Sequence, residues 1–182
     1  MVRAVALLIS AIAMSRPGIS KGEATQYAQV LNEVATKHRF DPLTAVAIIH
    51  FESRWQPALV SPDGEDHGLG QVRARYLQAC RGDADPVNAP SAACAAAKRS
   101  LLDGATNIRR MGAIISANRA LCLRKTGSAL AHRWLAGYQG HNHPSSNRWC
   151  QADEKTRRVL AYRKKLIAML SRKARPLQTP GR

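Results

Sequence analysis

The sequence predicts a mainly α-helical domain that has room for one small β-hairpin. Apolar residues recur at helical spacing in several segments, and loops containing Pro, Gly and Asp separate those segments. A chain of 182 residues, 45% of them hydrophobic, is long enough to bury the core of one domain. We expect that domain to span residues 20–171.

The first thirteen residues have the features of an export signal. Arg3 precedes an apolar run from Ala4 to Ala13 that is too short to span a bilayer. Residues 11–13 have the small-x-small form of a cleavage site. We therefore interpret residues 1–13 as a signal peptide that directs the chain to the periplasm or the extracellular space. The alternative is that this run forms a buried first helix.

Two helices follow, and the functional hypothesis depends on the second. Residues 22–38 carry a helical apolar stripe. Asp41-Pro42 is a typical helix start, because an N-cap residue precedes Pro at the first helical position. Residues 43–52 (LTAVAIIHFE) are apolar on nearly every side, which indicates a helix buried in the core. Glu52 should then lie at the edge of that core.

Two loops and four more helices complete the expected domain. Residues 56–70 are rich in Pro, Gly, Ser and Asp and have room for the hairpin, and residues 81–91 form a second loop. Helical spacing predicts helices over residues 92–103, 106–118, 128–138 and 155–170. Residues 172–182 contain Pro, Gly and charge without periodicity, so we expect a disordered basic tail there.

The four cysteines favour an oxidising compartment. They contain no CxxC pair, which argues against a zinc site and against thioredoxin-type redox chemistry. Four cysteines allow three disulfide connectivities. We expect Cys80–Cys94 and Cys122–Cys150, because each pair brackets a loop that a crosslink would hold. Four reduced, buried cysteines are the alternative.

The chain is strongly basic, with 28 Lys and Arg against 12 Asp and Glu and a formal net charge of +16. Such a field attracts polyanions, among them nucleic acids, anionic lipids and the bacterial cell wall. The basic residues are scattered and form no nucleic-acid-reading motif, so we expect neither nucleic acid binding nor stable membrane insertion. We expect a monomer whose charge promotes association with an anionic cell wall. A basic polyanion-binding protein is the alternative from another functional class.

Glu52 is the strongest candidate for a catalytic residue. A carboxylate rarely ends so apolar a run unless it is paired or functional. A carboxyl group shielded from water can donate a proton near neutral pH, and cleavage of a glycosidic bond needs such a donor because the leaving oxygen must be protonated. A glutamate paired with Arg54, or exposed at a helix end, is the structural alternative.

Motifs that follow Glu52 resemble those of one enzyme family, the soluble, lysozyme-like lytic transglycosylases. The likeness covers roughly residues 25–170, and four motifs in the family's order and spacing carry it. They are Glu52-Ser53 with Ser61 in the next loop, then residues 68–72 (GLGQV), 101–108 (LLDGATNI) and 135–140 (LAGYQG), before a closing helix from Arg158. Three residues depart from the family pattern: Gly70 for Met, Gly104 for Pro and Gln139 for Asn.

The resemblance implies a lysozyme-like fold with a sugar-binding groove that accommodates the glycan strands of peptidoglycan. It implies that Glu52 protonates the β-1,4 glycosidic oxygen between N-acetylmuramic acid and N-acetylglucosamine. The same carboxylate would then take the proton of the muramic acid 6-hydroxyl, which closes a 1,6-anhydro ring without water. The implied substrate-binding residues are Ser61, Gln71, Tyr138, Gln139 and Asn107, the last by positioning backbone around the groove. No cofactor or metal is expected.

A hydrolase of the goose-type lysozyme kind is the alternative enzyme. Such an enzyme needs a second carboxylate to position a water molecule on the opposite side of the sugar. Asp63, Glu65 and Asp66 lie in the loop between Glu52 and Gln71, where such a carboxylate could sit. The chemical nature of the product ends, anhydro or reducing, separates the two reactions.

Overall fold

The computed structural model describes residues 2–174 and confirms a mainly α-helical fold with one small hairpin. Its seven α-helices within those residues are α1 (Val2–Ser15), α2 (Lys21–His38), α3 (Pro42–Glu52), α4 (Ala92–Ser100), α5 (Gly104–Thr126), α6 (Ala131–Tyr138) and α7 (Glu154–Ala174). Strands β1 (Asp66–His67) and β2 (Val72–Arg73) pair antiparallel, with Asp66 opposite Arg73. None of the described helices combines the length and hydrophobicity that crossing a membrane requires.

Helix α3 lies at the centre of the core. The Asp41 carboxylate accepts hydrogen bonds from the Leu43 amide at 3.2 Å and the Thr44 hydroxyl at 3.1 Å, and Pro42 occupies the first turn as predicted. Residues 45–49 have no exposed surface, because α1, α2 and α7 pack around the helix. The last residue of α3 is Glu52, so the core ends where this carboxylate begins.

Helix α1 is part of this core. Leu8, Ala11 and Ile12 are buried, and the helix packs on α2, α3 and α7. At its end the Ser15 hydroxyl accepts a hydrogen bond of 2.8 Å from the Trp55 indole. Residues 2–13, which we interpreted as part of a signal peptide, therefore belong in this structure to a buried first helix, which was the alternative interpretation. Export of the chain stays a prediction.

The C-terminal ends of three helices differ from those expected. Helix α4 ends at Ser100 rather than at residue 103, because the Asp103 carboxylate caps α5 by accepting the Thr106 amide at 2.8 Å. Helix α5 runs eight residues past the expected end at residue 118 and stops at Gly127, whose φ of 66° is left-handed. Residues 172–174 of the expected tail continue α7, and residues 175–182 lie outside the described part of the chain.

Both expected disulfides are present. Cys80–Cys94 joins a short 3-10 turn to α4, and Cys122–Cys150 joins α5 to the segment that leads into α7. All four cysteines are buried, and none of the four is free. The alternative of reduced cysteines is therefore wrong for this structure. The second disulfide matters for the site described next, because it fixes the segment from which α7 starts.

Candidate active site

Glu52 lines a groove with a volume of about 650 Å³. Its side chain is only 12% exposed. The groove has a floor from α5 and α6 and two walls. We call residues 59–73 the hairpin wall, and we call residues 139–155 the α7 wall.

The chain turns sharply after Glu52. Arg54 and Trp55 both have positive φ, 52° and 64°, a backbone conformation that residues other than glycine rarely adopt. The Ser53 hydroxyl supports this turn by donating to the Ile49 carbonyl at 3.3 Å and accepting the Trp55 amide at 3.2 Å. Strained backbone of this kind is typical of functional sites. Trp55 is fully buried, so it belongs to the core and does not present a surface to a sugar.

Lys155 is the direct partner of Glu52. Its ammonium lies 3.1 Å and 3.2 Å from the two carboxylate oxygens. Lys155 is the second residue of α7, and its side chain is 49% exposed, whereas the glutamate is shielded. A flexible, exposed lysine can leave a carboxylate without disturbing the core. The expected alternative partner, Arg54, does not form this ion pair within the described residues.

Asn107 holds the hairpin wall. It is fully buried in α5, and its side-chain carbonyl accepts the Gly70 amide at 2.8 Å. Its side-chain NH2 donates to the carbonyls of His67 and Leu101, each at 2.8 Å. These contacts fix backbone next to the groove, which is the kind of role that the resemblance implies. Gly68 makes the approach possible, because a Cβ there would lie 2.3 Å from the Asn107 amide nitrogen.

Tyr138 joins the groove floor to the same wall. Its hydroxyl donates to the Gly70 carbonyl at 2.6 Å. Burial, together with the negative charges of Glu52 and Asp66, raises the pKa of Tyr138 well above its ordinary value, so the phenol stays neutral at physiological pH. A Cβ on residue 70 would meet the Tyr138 hydroxyl at 2.8 Å and the Met111 sulfur at 3.0 Å. Gly70 therefore fits this chain because Met111 already fills the adjacent space.

Gln71 and Gln139 also line the groove, one from each wall. The Gln71 amide donates to the Gly68 carbonyl at 2.9 Å, and the residue has a left-handed φ of 48°. The Gln139 carbonyl accepts the Thr156 hydroxyl at 2.9 Å. The NH2 of Gln139 is buried and has no hydrogen-bond partner within residues 2–174.

Ser61 is engaged within its own loop. Its hydroxyl donates to the Asp63 carboxylate and accepts the Asp66 amide at 2.9 Å. The residue does not line the groove, unlike the other predicted substrate-binding residues at positions 71, 138 and 139. Contact of Ser61 with a substrate stays a prediction.

The three acidic residues of the loop have different surroundings. Asp63 is exposed and binds Ser61, while Glu65 is buried and ion-paired with Arg75. Only Asp66 of the three lines the groove with Glu52. Its two oxygens accept from two nitrogens of Arg73, at 3.1 Å and 3.2 Å. Asp66 is thus the acidic residue that a second-carboxylate mechanism would have to use.

Sequence reasoning missed Lys155. The residue appears in the sequence only as the first position of an expected helix, and one lysine among 28 basic residues carries no signal of its own. Its contact with Glu52 joins residues 103 positions apart. The contact became visible only in the structure, where the start of α7 lies beside the end of α3.

No protein-family model, curated protein or solved structure matches this chain in comparisons with known proteins. Within the described residues, no cluster of three His, Cys, Asp or Glu side chains is arranged to hold a metal ion. The function proposed below is therefore inferred from the residues and the geometry of the groove.

Proposed function

We propose that the protein is a peptidoglycan lytic transglycosylase in which Glu52 acts first as general acid and then as general base. The observation that carries this proposal is a shielded carboxylate at the end of a helix whose residues 43–49 are buried, facing a groove of about 650 Å³. The order and spacing of the motifs around Glu52 support the same family of reactions.

The first step is proton transfer from the Glu52 carboxyl to the glycosidic oxygen. The bond between C1 of N-acetylmuramic acid and this oxygen breaks, and N-acetylglucosamine leaves with the proton. In the free protein the carboxylate is paired with Lys155, so the ammonium must move away before the acid can form. The exposed position of Lys155 allows that movement, because 49% of its side chain is accessible to solvent.

The second step uses the same carboxylate as a base. Glu52, now ionised, takes the proton of the muramic acid 6-hydroxyl while the 6-oxygen bonds to C1. The proton that left in the first step is thereby restored, and no water is consumed. One carboxylate therefore suffices for both steps.

The neutral Tyr138 phenol serves to position the groove in this proposal. It donates its proton to the Gly70 carbonyl and cannot act as a base near neutral pH. The side chains of Gln71 and Gln139 line the groove, and the proposal assigns them contacts with the acetamido and hydroxyl groups of the glycan.

Mass spectrometry of the soluble products from purified peptidoglycan tests the proposal. The wild type should release muropeptides with 1,6-anhydro ends, and Glu52→Gln, which keeps the side-chain shape, should lower their yield by at least about 100-fold. The matched control is Glu33→Gln on the exposed face of α2, which should behave as wild type. Absence of products from the wild type would contradict the proposal.

One observation favours a second candidate, a hydrolase. Asp66 lines the same groove as Glu52 and could position a water molecule for attack at C1. Its two oxygens both accept hydrogen bonds from Arg73, and this contact fixes the position of the carboxylate beside the groove. Products with reducing ends that disappear in Asp66→Asn would support the hydrolase over the transglycosylase.

A further inference from the structure

A second cavity shares Lys155 with the groove. It measures about 420 Å³, and its five lining residues are His50, Phe51, Arg54, Lys155 and Arg158. Lys155 is common to both cavities, while Glu52 lines the groove alone. We call this second space the cationic cavity.

The cationic cavity concentrates positive charge. Three of its five lining residues are Lys or Arg, and none of the five is acidic. Neither Arg54 nor Arg158 has an acidic ion-pair partner among residues 2–174. The Arg158 guanidinium lies 5.3 Å from the centre of the Phe51 ring, which orients it without neutralising it. Burial lowers the pKa of His50, so the imidazole adds no charge at neutral pH.

We infer that the cationic cavity binds a carboxylate of the peptide attached to muramic acid; this rests on the proposed function. Guanidinium groups bind carboxylates through paired hydrogen bonds, and several cations around one space favour an anion there. Peptidoglycan peptides carry free carboxylates on the same sugar whose C1 would face Glu52. The shared lysine, which contacts Glu52, places the cavity next to the proposed catalytic carboxylate.

The shared lysine gives this binding a consequence for Glu52. Lys155 contacts both Glu52 oxygens in the free protein. A carboxylate in the cationic cavity competes with Glu52 for the same ammonium, since Lys155 lines both spaces. Peptide binding would thus remove the ion pair that has to break before Glu52 can donate a proton. The cavity would select peptide-bearing strands and promote their cleavage.

The test compares kcat/KM on two substrates: glycan strands that keep their peptides, and the same strands after enzymatic removal of the peptides. Wild type should prefer the peptide-bearing strands. Arg158→Gln should lower the ratio of the two values roughly two- to fivefold, the range expected for a partly exposed charge pair. The ratio should also fall as salt rises from 0.1 M to 1 M, because the Debye length shrinks from about 10 Å to about 3 Å.

Two variants control for charge and for folding. Arg157→Gln removes the same charge from the neighbouring position of α7 but does not line the cavity, so the wild-type ratio should persist. Arg158→Lys keeps the charge and should keep most of the preference. The inference is overturned if Arg158→Gln lowers kcat/KM equally on both substrates, or if the wild type has the same kcat/KM on both. In either case, anhydro products would still support the proposed function. Failure of the wild type on both substrates overturns both.

Discussion

The two walls of the groove are held by different forces. The hairpin wall is anchored to α5 and α6 by buried, uncharged hydrogen bonds between its backbone and the side chains of Asn107 and Tyr138, while its ion pair Asp66–Arg73 stays within the hairpin. The α7 wall depends on a disulfide, Cys122–Cys150, and on ion pairs at partly exposed positions such as Lys155–Glu52. The first kind of contact is insensitive to salt and intolerant of substitution, whereas the second is adjustable.

This difference indicates a division of labour across the groove. A wall of satisfied buried hydrogen bonds has one arrangement, because each broken bond leaves a polar group without water or partner. A wall whose tip carries an exposed lysine can change its contacts at little energetic cost. We therefore expect the hairpin wall to define the shape of the sugar site and the α7 wall to respond to what is bound.

The largest expected effect is the loss of Asn107. Asn107→Ala removes one acceptor and two donors from buried backbone partners at Gly70, His67 and Leu101. Each unsatisfied buried group costs about 1–3 kcal/mol, so the free energy of unfolding should fall by about 4 kcal/mol. Urea denaturation followed by circular dichroism measures this change.

Asn118→Ala provides the matched control for that substitution. Asn118 lies on the same helix and lines the groove, but its side-chain NH2 donates to the Ile114 carbonyl of its own helix and the residue is partly exposed. Its loss should cost less than about 1 kcal/mol. Equal losses in the two variants would show that Asn107 has no special role in the hairpin wall.

The sequence predicted the hairpin wall less well than the helix beside it. The Asp41-Pro42 start and the continuous apolar run predicted α3 and placed Glu52 at its end, because both signals are local. The network of Asn107 was not readable, since its partners lie up to 40 residues away in a loop without periodicity. Similarity to family motifs indicated that Asn107 matters, and the structure supplied the three hydrogen bonds.

The departures from the family pattern have a physical reason that only packing reveals. A Cβ at Gly104 would lie 2.6 Å from the Tyr27 ring, so α5 begins with glycine where α2 presses on it. Likewise Gly70 leaves room for Met111 and the Tyr138 hydroxyl. Such paired adjustments join distant residues, and a single sequence contains no record of them.

The second largest effect concerns the α7 wall. Replacing both Cys122 and Cys150 with Ala opens a loop with a separation of 28 residues, which should cost about 3–4 kcal/mol in the free energy of unfolding. Amide hydrogen exchange should quicken in residues 139–153 and stay unchanged in residues 66–73. That outcome would show that the two walls are held independently.

The other disulfide is the control for this experiment. Cys80–Cys94 closes a separation of 14 residues, and neither cysteine lines the groove. Replacing this pair should cost about 3 kcal/mol without quickening exchange in residues 139–153. Faster exchange in residues 66–73 after loss of Cys122–Cys150 would contradict the independence of the walls.

The smallest expected effect is a difference between the walls in their response to pH. His67 of the hairpin wall is buried, and burial, with a further contribution from Lys98, lowers its pKa below 6.5. Because the unfolded chain takes up this proton first, the contribution of His67 to stability is present above pH 6.5 and is lost as pH falls toward the folded pKa. In the α7 wall, the hydrogen bond from the Thr156 amide lowers the pKa of Asp153 below 3.8. That contribution is present above pH 3.8 and is lost only as pH falls further.

Thermal unfolding at pH 7.0, 5.5 and 3.0 separates the two responses. His67→Gln should flatten the loss of stability between pH 7.0 and 5.5, leaving the part that His50 contributes through its own lowered pKa. Asp153→Asn should flatten the loss of stability below pH 3.8. Because the Asp153 carboxylate lies 3.0 Å from the His141 imidazole, the variant is made in a His141→Gln background, in which the interval between pH 7.0 and 5.5 should stay unchanged. If Asp153→Asn altered the slope between pH 7.0 and 5.5 in that background, the α7 wall would titrate together with the hairpin wall. The groove would then respond to acid as one unit, and the distinction between a fixed wall and an adjustable one would fail.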